Sequence, residues 1–174
     1  MTSGKRALTA AVIALGASAA SAWGGSANTS FSVSTTVVNN CTVASRGISF
    51  GSYDATRGIT ATAQGAVVAK CTRGDSVSVA LDQGIYPAPG STPAVPARRM
   101  SDGASHYLPY HIYIAASPSR TEWGSGAAGR NEPLTQIAPS VGAPLTFTTY
   151  GSLPSGTNAP AGNYLDIVTA IVTF

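Results

Sequence analysis

Charge is scarce in this chain: of its 174 residues only 10% are Asp, Glu, Lys or Arg, and the formal net charge is +3. Lys5 and Arg6 sit at the extreme N-terminus and the other basic residues are scattered. No basic stripe is left to follow a phosphate backbone, which excludes nucleic acid as a partner. Arg98-Arg99 is the one adjacent basic pair in the body of the chain, and a solvated loop accounts for it better than a phosphate site. Histidine is scarcer still, occurring at 106 and 111, with Asp102 nearby. On a strand an odd separation sends two side chains to opposite faces, so this pair promises neither a metal site nor an acid–base couple. The carboxylates Asp54, Asp75, Asp82, Asp102, Glu122, Glu132 and Asp166 show no pairing of the kind a glycosidase needs. A G-x-S-x-G elbow and a G-x-x-x-x-G-K-[ST] phosphate loop are both missing. Thus no catalytic residue, metal ligand or cofactor is expected. The tyrosines and Trp123 have faces that stack on sugars, but such residues more commonly fill cores or pair across strands.

Cysteine occurs only at 41 and 71, a spacing too wide for a redox C-x-x-C pair or a zinc half-site. The N-terminus explains their use. Lys5-Arg6 precedes an apolar run from Ala7 to Ala20 that ends in Ala20-Ser21-Ala22, the form of a secretory signal peptide over residues 1–22. That run is shorter than the roughly 20 residues a membrane-spanning helix needs. Export passes a chain through an oxidising compartment, so a Cys41–Cys71 disulfide is expected. Residues 23–174 then match the size of one domain with one core.

Helical periodicity is missing after residue 22; instead, short runs alternate apolar residues with Ser or Thr between Gly and Pro. This predicts antiparallel strands. Candidates are Phe31–Val37, Gly47–Tyr53, Thr60–Cys71, Ser76–Asp82, Tyr107–Ala115, Leu145–Ser152 and Tyr164–Phe174. The segment from Gly84 to Ala97 holds four of the eleven prolines, none able to donate a ladder hydrogen bond, and is expected to be a surface loop. Ser117–Asn131 reads as linker-like but too short to separate domains. The spacing favours an immunoglobulin-like sandwich over a barrel without deciding between them.

Several segments together resemble the spore coat protein U domain family. They are NNCTV at 39–43, ISFGSYDA at 48–55, KCTRGDSVSVALDQG at 70–84, RRMSDG at 98–103, LPYHIYIAASPSRTEWGSG at 108–126 and YGSLPSGTNAPAGNYLDIVTAIVTF at 150–174. The most specific is P-A-G-x-Y-x-D followed by alternating apolar residues to a terminal Phe. The resemblance implies a subunit of an archaic chaperone-usher pilus. Its fold would be an all-β, incomplete immunoglobulin-like sandwich completed by donor-strand exchange. A periplasmic chaperone would cover the open edge first, and an outer-membrane usher would then let the extension of a neighbouring subunit replace it. On this reading residues 23–40 are the donor extension and 41–174 the pilin domain. Phe31, Val33, Thr35 and Val37 form the donor's inward row, the other register offering only Ser, Thr and Val38. Val168, Ala170, Val172 and Phe174 line the acceptor groove on the last strand. The opposite row departs from the family's usual threonines, being Leu165, Ile167 and Ile171. The competing readings are a self-complete secreted β-sandwich, with Phe31–Val37 as its own first strand, a lectin-like adhesin and a secreted enzyme.

Overall fold

The computed structural model describes residues 24–116, 121–126 and 133–174. Residues 1–22, expected from sequence to be a signal peptide, and parts of the 117–131 stretch lie outside the described residues. The chain divides into two units, Met1–Thr36 and Val37–Phe174. Of the first, residues 24–36 are exposed and carry no strand, so the alternation of Phe31–Val37 is not expressed as a ladder.

The second unit contains eight strands among the described residues: β1 Cys41–Arg46, β2 Ala61–Cys71, β3 Ser76–Leu81, β4 Arg98–Ser101, β5 Tyr107–Tyr113, β6 Leu134–Ile137, β7 Pro144–Leu153 and β8 Ala170–Thr173. They form a five-stranded sheet ordered β1-β2-β7-β5-β4 and a three-stranded sheet ordered β6-β3-β8. All pairs are antiparallel. The longest ladder, β2 with β7, sets alternate residues on opposite faces. Val67, Ala69, Leu145 and Phe147 of the large sheet meet Val77, Val79 and Leu81 of the small one, and all are buried. This is the all-β sandwich expected from the alternation.

Cys41 and Cys71 are direct cross-strand partners joined by the disulfide, 30 residues apart in sequence. Such a closed loop is worth about 3–4 kcal/mol in the chain-entropy account.

Three differences from the sequence reading have physical causes. Gly47–Tyr53 alternates like a strand, yet the β1–β2 ladder ends at the Arg46–Ala66 pair, and beyond it Ile48 and Phe50 pack by side chain over Gly65 and Gly151 instead of continuing the ladder. The Tyr164–Phe174 run splits: Leu165 makes a two-bond bridge to Ser101 on β4, while Ala170–Thr173 pairs with β3. The segment therefore passes from one sheet to the other. Finally, Arg98 is not on a solvated loop; it starts β4 opposite Tyr110 and is buried.

Candidate functional site: an open groove between two edges

Among the described residues, two stretches of chain that no strand covers face one another across the core. One is β8, the outermost strand of the small sheet. The other follows β1, residues 47–54. Between them lies an open cleft of about 1020 Å³, floored by Val67, Leu81, Leu108 and Ile112 and walled by Ile48, Phe50, Val168 and Ala170. Val43, on β1, is a separate exposed apolar side chain. It pairs with fully buried Ala69 on the inner face of the sheet, yet is 49% exposed.

The wall after β1 is seated in notches made by glycine. A Cβ on Gly65 would stand 2.5 Å from the Arg46 carbonyl oxygen and 3.0 Å from Ile48 Cγ1; one on Gly151 would stand 2.7 Å from Ile48 Cγ2 and 3.0 Å from Phe50 Cζ. Side-chain-free positions in β2 and β7 thus let Ile48 and Phe50 lie against the sheet. Phe50 then meets Tyr110 edge-on, with ring centroids 6.4 Å apart.

The β8 wall is held by carboxylates. Asp82 Oδ1 accepts from the Thr169 and Gly84 amides, each at 2.9 Å, and the Asp82 amide donates to the Thr169 carbonyl at 3.0 Å. Asp166 accepts from Tyr110 Oη at 2.6 Å and from the Ile85 amide at 2.9 Å. Gly84 has φ +77°, and a Cβ there would fall 2.1 Å from Asp166 Oδ2, so only glycine admits this carboxylate. Behind the clamp, the Arg98 guanidinium donates to the carbonyls of Leu81, Asp82 and Trp123 and pairs with Glu122 at 3.4 Å. Burial pushes the Arg98 pKa below its ordinary value, with Glu122 acting in the opposite direction. Burial, then the bond to Asp166, raises the Tyr110 phenol well above its ordinary value.

The rows named from sequence are placed as follows. Val168, Ala170 and Val172 pack against the core, whereas Phe174 is exposed. Leu165, Ile167 and Ile171 face outward and are exposed, so among the described residues no loop covers them. Phe31, Val33 and Val37 are exposed too. The histidines do not converge: His106 Nδ1 contacts Asp102 Oδ2 at 2.6 Å, while His111 Nδ1 contacts Glu122 Oε2 at 3.0 Å and stacks on Tyr113. Trp123 is fully buried and its Nε1 donates to the Val79 carbonyl at 2.8 Å, so it offers no platform to a sugar. No group of three or more metal-ligating side chains occurs among the described residues.

Sequence reasoning missed Arg98, Gly65 and Gly151. Glycines inside otherwise alternating strands were the available signal for the two notches, since Gly in a strand marks close approach of other chain. Nothing local distinguished Arg98 from a surface arginine.

The parts that meet here, Asp82 and Gly84, Arg98, Tyr110, Trp123 and Asp166, come from four of the motif segments quoted above. Protein U of Myxococcus xanthus is 36% identical over 133 residues, covering 73% of this chain and 71% of that protein. A solved structure, that of the CsuC-CsuE chaperone-tip adhesion subunit pre-assembly complex from archaic chaperone-usher Csu pili of Acinetobacter baumannii, matches with a TM-score of 0.57 and 22% identity. The match covers 80% of this chain but only 40% of that one, and at such identity the likeness is one of fold. Residues 27–171 match the Spore Coat Protein U domain, and the chain belongs to that family.

Proposed function

We propose that this chain is a structural, non-enzymatic subunit of a surface pilus involved in adhesion or biofilm formation. It is exported through the periplasm and assembled by donor-strand complementation. The observation that carries this reading is the apolar cleft between β8 and residues 47–54, open along an otherwise well-paired sandwich. An uncovered edge beside an open, largely apolar cleft is a template for an added strand: backbone hydrogen bonds supply affinity and alternate side chains supply register. The donor row is Phe31, Val33, Thr35 and Val37, in an extension that is exposed and carries no strand of its own. The acceptor row is Val168, Ala170, Val172 and Phe174. A periplasmic chaperone occupies the groove first; at an outer-membrane usher the extension of a neighbouring subunit replaces it. Burying apolar surface at roughly 25 cal/mol per Å² drives the exchange without a nucleotide or cofactor.

The test compares residues 23–174 with a version lacking residues 23–38, each alone and with a synthetic Asn28–Asn40 peptide. The expected result is SDS-resistant oligomers from the longer protein, and a truncated one whose melting temperature rises on adding peptide. Equally stable monomers that ignore the peptide would sink the reading in favour of a self-complete secreted sandwich.

A further inference from the structure

The strand registers define two ends of the domain. Cys41, Cys71 and, through the β3–β8 ladder, Thr173 lie at the disulfide end; Arg46, Leu81 and Ala170 lie towards the opposite end, with residues 47–53 and 164–168 beyond them. Every strand pair here is antiparallel, the more stable arrangement, and a strand entering beside β8 in that sense points its C-terminus away from the disulfide end. An incoming Phe31–Val37 strand therefore leaves the groove beside Leu165.

Only Val38, Asn39 and Asn40 separate Val37 from Cys41, a reach of about 13–14 Å between their Cα atoms when fully extended. Even that reach is tied down. Thr72 Oγ1 donates to the Val38 carbonyl at 3.3 Å and accepts from the Asn40 amide at 3.1 Å, and the Thr72 amide donates to the Asn40 carbonyl at 3.1 Å. The body of the incoming copy must arrive with its disulfide end against the far end of the acceptor.

Both surfaces brought together are apolar. At the disulfide end Val38 is 70% exposed and Val141 is 77% exposed, the latter placed by the hydrogen bond from the Gly142 amide to the Cys71 carbonyl. At the far end Leu165 is 65% exposed and Ile167 is 56% exposed, with Ile85 alongside through its amide bond to Asp166. We propose that a second copy of this chain seats its Val38–Val141 collar on the Leu165–Ile167 rim, a body-to-body contact additional to strand insertion. The proposal rests on the strand-insertion reading above. The contact joins two different surfaces and is heterologous, so it can repeat from copy to copy along a filament. It also limits the swing that a single inserted strand would permit.

The test uses residues 23–174 with outward-facing substitutions. Ile167→Asp should shorten the half-time of polymer dissociation in guanidinium chloride about tenfold, while affinity for an Asn28–Val37 peptide, which has no collar, stays within about twofold. Adding Val38→Lys to Ile167→Asp should restore the half-time by pairing charges across the contact. An unchanged half-time in Ile167→Asp, with peptide affinity intact, would overturn the collar and leave strand insertion standing. If the wild-type protein neither polymerises nor binds the peptide, strand insertion itself fails and the collar with it.

Discussion

The two walls of the groove are held by different physics. The wall at 164–173 is fixed by direction: a four-pair ladder to β3, a bridge to Ser101, and two carboxylates aimed at amides and a phenol. The wall at 47–53 makes no backbone hydrogen bond among the described residues. It is held by shape, through Ile48 and Phe50 in their glycine notches and Tyr53 Oη donating to the Pro154 carbonyl at 2.8 Å. Directional bonds fix where an edge stands, whereas packing alone leaves the second wall's backbone groups unspent and available.

The comparison can be broken from either side. The largest effect is expected from Arg98→Met, which takes the buried guanidinium from Glu122 Oε1 and from three carbonyls behind the directional wall. Urea denaturation should show a loss of about 3–5 kcal/mol, as for other broken buried ion pairs; a loss under 1 would mean that water replaces the guanidinium, by the same scale. Gly151→Val attacks the packed wall. Its Cβ alone meets Ile48 Cγ2 at 2.7 Å, so a penalty of about 3 kcal/mol is expected, with faster hydrogen exchange or proteolysis confined to residues 47–53. Tolerance of valine there would show that the notch is not needed. Asp166→Asn keeps the shape of the clamp but weakens its acceptor. A loss of about 1–2 kcal/mol is expected, with exchange at the Ile85 amide accelerated more than anywhere on β7.

The smallest effect is a slope in pH. The Tyr110 phenol is held above its ordinary value of 10.0, so above about that pH the unfolded chain has released a proton that the folded one keeps. Stability contributed by Tyr110 is complete below the unfolded value and is lost as pH rises towards the folded one, at up to about 1.4 kcal/mol per pH unit. Thermal unfolding between pH 9 and 11 should decline less steeply in Tyr110→Phe than in the wild type. Identical slopes would place the ionisation elsewhere.

How much of this was legible depended on whether a residue's partner lay within its own run. The alternation of Thr60–Cys71, Ser76–Asp82 and Leu145–Ser152 located β2, β3 and β7 to within a residue or two, because each buries alternate residues over most of its length. The same alternation in Gly47–Tyr53 and Phe31–Val37 did not yield strands, since a ladder needs a neighbour that the pattern cannot supply. β4 and β6, four residues each, are too short for a period to show. Arg98 was misread because its partners, the carbonyls of Leu81, Asp82 and Trp123, are backbone atoms on distant segments, invisible to any reading of side-chain pattern. The disulfide was the easiest inference, with two cysteines in the chain and one way to join them.

That disulfide also governs how the domain bears tension. A pull on the chain ahead of Cys41 would ordinarily peel β1 from β2 one hydrogen bond at a time, the least resistant way to open a sheet edge. Here the first residue of β1 is riveted to its cross-strand partner on β2, and β2 shares its longest ladder with β7. The load therefore bypasses the weak edge and enters the middle of the sheet, where many bonds must shear together. Reducing agent would convert a shear joint into a zipper.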